Sequence, residues 1–200
     1  MTVLAAAVLV TGVAIAVPAL AVNQNWWFLT PGAPKPQSAV EVVTSGRTAG
    51  INWTLTAYLS RDKGVCVAQT LEAGKGDMGE MACGYELRGE PALGSGERRG
   101  RHWVGYGQSS LGLYDFPDFV DGPVAKGVAR VDLVLTNGQT LQTTPLEGPN
   151  DLPVNFYVVP LPRGARLEAV IARDRMGDVL ERRTCPLCMH PPWRSSKTDS

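Results

Sequence analysis

Four cysteines, two histidines and one acidic run are the residues whose types and spacing could do chemistry in this chain. Cys185-Pro186-Leu187-Cys188 has the spacing of a redox dithiol, a zinc knuckle or a haem-attachment site. A redox pair needs its first cysteine at a helix N-terminus, where the thiol pKa falls, and Pro191-Pro192 oppose a long helix there. Zinc would take Cys185, Cys188 and His190, three ligands where a tetrahedral site wants four. Haem attachment needs histidine directly after the second cysteine, and Met189 stands there instead. The plainest use is a disulfide, Cys185 to Cys188 or across the tail. Cys66 and Cys83 fall in adjacent predicted strands, where a bridge would pin the loop from Leu71 to Met81 and contribute roughly 3 kcal/mol. Bridges to the C-terminal pair and free thiols are the alternatives.

Asp115-Phe116-Pro117-Asp118-Phe119-Val120-Asp121-Gly122 reads as an acidic loop. Asp115, Asp118 and Asp121 could offer oxygen ligands to calcium, although the denser alternation of an EF-hand loop is missing. The competing expectation is that these aspartates satisfy turn amides while Phe116 and Phe119 cover the core. The inventory for hydrolysis is thin. His102 and His190 are the two histidines, no G-x-S-x-G elbow occurs, and Ser109-Ser110 have no base placed by sequence. Gly94-Ser95-Gly96 opens no helix, so no phosphate cradle is formed, and no cofactor is expected. Paired carboxylates stay open as a catalytic device, because the fold sets their separation. Asn52-Trp53-Thr54 is a glycosylation sequon lying mid-strand. Trp53, Trp103, Tyr106, Tyr114, Phe116 and Phe119 read as core first and as a binding groove second.

The elements that must position these residues are strands. Among 200 residues, 44% hydrophobic, Gly 22 and Pro 15 favour short strands joined by tight turns. Lys+Arg and Asp+Glu are equal at 19, so no net field draws the chain to nucleic acid. Ile51 to Ser60 alternates apolar and polar, as a half-buried strand does. Further strands are expected at Val40 to Thr44, Val65 to Thr70, Met81 to Leu87, His102 to Gly107, Ala129 to Leu135, Thr140 to Thr144, Val154 to Val159, Arg166 to Ala172 and Val179 to Arg183. Asn137-Gly138 predicts a type I′ hairpin turn, and Asp174 to Asp178 another turn. The fold class expected is all-β, an antiparallel β-sandwich of immunoglobulin-like or related kind over residues 39–184. A Pro-rich linker, 23–38, precedes it, and a tail with the C-x-x-C pair, 185–200, follows. Whether the strands make one sandwich or two small ones stays open.

Residues 1–22 form a transmembrane or signal segment: Val3 to Val22 is a run of 20 residues without a charge, long enough to cross a hydrocarbon core of roughly 30 Å. Trp26 and Trp27 sit where an aromatic belt would anchor it. Ala19-Leu20-Ala21 with Pro18 also fits cleavage after Ala21 and secretion. Pro31-Gly32-Ala33-Pro34-Lys35-Pro36-Gln37-Ser38 reads as a stiff spacer that holds the domain off the bilayer.

The anchor ending Val17-Pro18-Ala19-Leu20-Ala21, with Asn52 to Tyr58, Gly64-Val65-Cys66-Val67, Ala82-Cys83-Gly84, Val131 to Leu135 before Asn137-Gly138, and Ala172-Arg173-Asp174 before Gly177, resembles uncharacterised membrane-anchored extracytoplasmic proteins of high-GC Gram-positive bacteria. The resemblance implies a β-rich external domain, a Cys66 to Cys83 pair and a basic cytoplasmic stretch before the anchor. It carries no catalytic motif. The expectation for function is a non-enzymatic, single-pass module outside the membrane that binds or senses an extracellular ligand or protein. The alternatives are a hydrolase with a carboxylate-based site and a C-x-x-C redox or zinc protein.

The positive-inside rule predicts an Arg/Lys-rich stretch before Thr2, since nothing basic precedes the apolar run. N-terminal peptide mapping of the protein from its native host checks this, and a chain beginning at Met1 contradicts it.

Overall fold

The computed structural model describes residues 33–72, 77–88, 102–109, 117–149 and 152–185, and the segment 3–22 lies outside them. Among the described residues there are eleven strands and no helix, every strand pairing being antiparallel. No helix among them is long and apolar enough to cross a membrane. The strands are β1 (Glu41–Thr48), β2 (Ile51–Ser60), β3 (Gly64–Glu72), β4 (Asp77–Cys83), β5 (Gly107–Ser109), β6 (Phe119–Ala125), β7 (Arg130–Leu135), β8 (Thr140–Thr143), β9 (Val154–Pro160), β10 (Leu167–Arg173) and β11 (Val179–Thr184). They form a meander sheet, β1-β2-β3-β4, a middle sheet, β5-β6-β9, and a far sheet, β11-β10-β7-β8.

Side-chain alternation places the middle sheet between the other two. Successive side chains of a strand point to opposite faces. On β9, Val154 and Phe156 share one core with Leu55, Ala57, Val65 and Val67 of the meander sheet. Tyr157 and Val159, which follow them on the other face, share another with Val131, Leu133, Leu135, Leu167 and Val170 of the far sheet. On β6, Val120 and Val124 join the far-sheet core, whereas Phe119 meets Trp53 of the meander sheet edge-on, 5.4 Å between centroids. All seven residues of β6 are buried. Each fully buried leucine or phenylalanine in these cores contributes roughly 1.5–3 kcal/mol.

The outer face of the meander sheet has its own small core of Tyr58, Cys66 and Ala68, packed by Val40, Met81 and Cys83. Cys66 and Cys83 are directly opposite in register and form a disulfide, closing a separation of 17 residues. The Pro-rich segment contributes here, and from Pro34 onward it is docked, not held clear as a spacer. Pro36 bridges Ser60, Gln37 N–H donates to Leu59 O at 2.6 Å, Arg61 N–H donates to Lys35 O, and Tyr58 OH donates to Pro34 O at 3.0 Å.

β2 has the bounds the alternation predicts. Three other expectations are corrected. The strand placed at Met81 to Leu87 lies earlier, as β4, because its register is set by the Cys66–Cys83 pair. His102 to Gly107 is not a strand, since its backbone divides its bonds: His102 N–H donates to Glu86 O, Gly105 N–H donates to Pro123 O, and Trp103 O accepts from Ala125. The run read as an acidic loop becomes β6 from Phe119 onward.

The hairpin at Asn137-Gly138 is present with a different turn. Only Gly138 has positive φ; the loop is the three residues Thr136, Asn137 and Gly138, closed by Gly138 N–H donating to Leu135 O. That is the three-residue loop ending in a left-handed residue. The type I′ geometry sits instead at Ala49-Gly50, both with positive φ, between the paired Thr48 and Ile51. A left-handed alanine costs roughly 1 kcal/mol that asparagine at the same position largely avoids. Ala49→Asn is therefore expected to stabilise the fold by up to about 1 kcal/mol, read as a rise in the urea midpoint at constant slope.

Candidate functional site

Cys185 is buried and disulfide-bonded, so its sulfur offers no thiolate for zinc or redox work, while Cys188 and His190 lie outside the described residues. Asp115 also lies outside them. Asp118 accepts from Gln108 Nε2 at 3.4 Å, and Asp121 is buried on β6. An odd separation along extended chain points these two carboxylates to opposite faces, so they do not converge. Among the described residues no group of three or more His, Cys, Asp or Glu side chains is arranged for a metal. Of the expected aromatics, Phe119 is core and Trp53 lies over Gly46 with its Nε1 donating to Thr48 Oγ1. Tyr114 and Phe116 lie outside the described residues.

His102, read from sequence as a residue on a strand face, has a carboxylate partner from far along the chain. Its Nδ1 lies 2.7 Å from Glu181 Oε1, and Glu181 Oε2 accepts from the backbone N–H of Trp103 and, at 3.3 Å, of Val104. Glu181 is on β11, the edge of the far sheet, so one carboxylate ties that edge to the segment leading into the middle sheet. Arg183, two residues on, donates to Val104 O at 2.9 Å and lies 5.2 Å from the Tyr106 ring centroid. Arg88 lies 5.0 Å from the centroid of Trp103. His102 keeps Nε2 free of hydrogen bonds to the described residues, and its side chain is about one third exposed, at 33%. The arrangement orients an imidazole and seals a seam.

Asp121 is the second unusual group. Burial first, and then the charge of Glu80, pushes its carboxyl up to about 7. Burial, then Asp121 itself, also pushes Tyr157 well up, and its neutral hydroxyl donates to Gly105 O at 3.0 Å. The backbone is tight at this point: a Cβ on Gly122 would stand 2.4 Å from Gly105 O. By contrast, Asp132 on the outer face of the far sheet is held by Arg173 at 2.6 Å and by Arg130 at 2.9 Å. That cluster is saturated with its own counter-charges.

A cleft of about 530 Å³ opens where the β6–β7 connection, the end of β8 and the β10–β11 turn meet. Val128, Ala129 and Pro145 give it an apolar lining, and Met176 stands at its rim, 86% exposed. Asp174 Oδ1 accepts from the Met176 and Asp178 amides and so shapes the turn. Lys126 and Arg175 also line the cleft, and neither makes an ion pair among the described residues. Sequence reading passed over both the cleft and Glu181. The one trace in the sequence was the turn at Asp174 to Asp178.

Protein-family models, curated proteins and solved structures were compared with the chain, and none matches it.

Glu181→Ala leaves the Trp103 and Val104 amides without their carboxylate acceptor. It is expected to cost about 2–3 kcal/mol in urea unfolding, clearly more than His102→Ala, which keeps the carboxylate bound to both amides.

Proposed function

We propose that this chain is a membrane-tethered extracytoplasmic binding module, akin to the anchored proteins of high-GC Gram-positive bacteria it resembles. In this reading the middle and far sheets form a β-sandwich of immunoglobulin-like or related kind, and the meander sheet is an added layer. The apolar run from Val3 to Val22 supports the tether. The Cys66–Cys83 disulfide supports an oxidising compartment, since such bonds persist there and are rare where thiols are kept reduced.

The observation that carries a binding role is the cleft, which sets two cations that form no ion pair among the described residues beside apolar side chains and an exposed methionine. Those groups suit an anion with an apolar body, such as a short acidic peptide bearing a leucine. Met176 fits an irregular apolar partner because its side chain is unbranched and polarisable. Lys126 and Arg175 would supply attraction that falls as salt rises.

The second reading is a hydrolase, favoured by the His102–Glu181 pair, which orients an imidazole as a base needs. Among the described residues no serine or cysteine side chain meets that imidazole. Labelling of the chain by a serine-directed fluorophosphonate, lost in His102→Ala, would move the choice to this reading.

The binding role is tested with the full chain in detergent, titrated with such a peptide in a calorimeter. Reversing both charges, Lys126→Glu with Arg175→Glu, is expected to weaken binding about tenfold or more, and high salt is expected to weaken the unaltered protein similarly. Equal affinity before and after the reversal overturns the assignment of the cleft.

A further inference from the structure

Asp121 faces the meander sheet. Val120 and Val124 on the same strand point into the far-sheet core, so the odd-numbered Phe119 and Asp121 point the other way. On β4, Met81 and Cys83 belong to the outer face of the meander sheet, so Glu80 points inward, toward the middle sheet. Two carboxylates therefore confront each other across the packing of one sheet on the other. They differ in solvation: Asp121 is 7% exposed, whereas Glu80 is exposed at the rim.

Among the described residues nothing compensates an ionised Asp121. Its carboxyl makes no hydrogen bond to any described residue, and among the described residues Glu80 is the one charge that bears on it. Opposite it, β3 presents Gln69, which is buried and uncharged and is paired in register with Glu80. Its neighbour on β5 is Gly107, and on β9 it is paired with Val158; Tyr157, next to Val158 and turned to the far-sheet core, stays neutral. A buried carboxylate with a like charge opposite and no donor among the described residues is costly, and protonation removes the cost.

We propose that Asp121 and Glu80 form a proton-operated latch between the meander sheet and the middle sheet: closed while Asp121 is neutral, loosened when both carboxylates are charged. The proposal is independent of the cleft reading. It makes the packing of a domain that faces the exterior respond to external acidity. The sign follows from linkage. Asp121 holds its proton more tightly folded than unfolded, so the stability it contributes is fully present below the unfolded value of 3.8 and is lost as pH rises through about 7. Above that the contribution is gone, and the contact between the sheets is the place where the loss is felt.

The experiment is urea unfolding of the full chain in detergent between about pH 4 and about pH 8, with hydrogen exchange of β3, β4 and β6 at both ends of the range. The unaltered protein is expected to lose up to about a thousandfold in its folding equilibrium constant over this range, with exchange rising at those three strands first. Asp121→Asn is expected to flatten that dependence, and Glu80→Gln, by removing the like charge that helps raise Asp121, to move its midpoint to lower pH and shrink the loss. An Asp121→Asn profile as steep as the original overturns the proposal. If Asp121→Asn does not fold, carboxyl carbon NMR of the unaltered protein decides, because an Asp121 titrating in the ordinary carboxylate range also overturns it. Stabilisation by millimolar calcium at the alkaline end, absent in Glu80→Gln, would overturn it too, by making the pair a cation site.

Discussion

β6 is covered on both faces, by the meander sheet and by the far sheet, and what else the fold can do follows from that burial. A strand with a wet face can carry polar residues there at no cost, but a doubly covered one must account for each polar atom it holds. β6 carries Asp121, Gly122 and Pro123 in sequence, none of them an ordinary choice for a central strand. Gly122 is there because the backbone of Gly105 comes too close for any side chain. Pro123 lacks a ladder donor but still accepts, through its carbonyl, from Gly105 N–H. Asp121 meets the constraint through burial that pushes its carboxyl up to about 7, so that below this it keeps its proton.

The same arrangement moves charge to the seams. Glu181 and Arg183 reach from the far-sheet edge onto the segment that enters the middle sheet, and each binds backbone there. Arg88 and Arg183 cover the Trp103 and Tyr106 rings, so long cationic side chains close over aromatic surface where the layers end. The Arg130–Asp132–Arg173 cluster does comparable work on the outer face of the far sheet. Lys126 and Arg175 are different in kind, since they border an open cleft and form no ion pair among the described residues.

How much of this was legible in the sequence depends on the range of the information. β2 was readable because its ten residues alternate without interruption. The β10–β11 turn was readable because Asp174 bonds its own neighbours, a local pattern. β6 was not: Asp-Gly-Pro is turn chemistry in isolation, and only burial from both sides makes it a strand. Asn137-Gly138 closes a three-residue loop in place of the expected type I′ turn for a related reason, since loop length is fixed by register across the strands and Asn-Gly alone does not state it. The His102–Glu181 contact joins residues 79 apart, and no spacing rule predicts such a pair.

The docked segment from Pro34 to Ser38 has a mechanical meaning as well. A pull arriving along the chain from its N-terminal side meets first the hydrogen bonds to Leu59 and Arg61 and the hold of Tyr58 on Pro34. The β1–β2 ladder comes next in line, and behind it β3 and β4 are joined covalently. Under tension the outermost sheet would give way in stages, the strap first, with the covalent cross-link stopping separation of its last two strands.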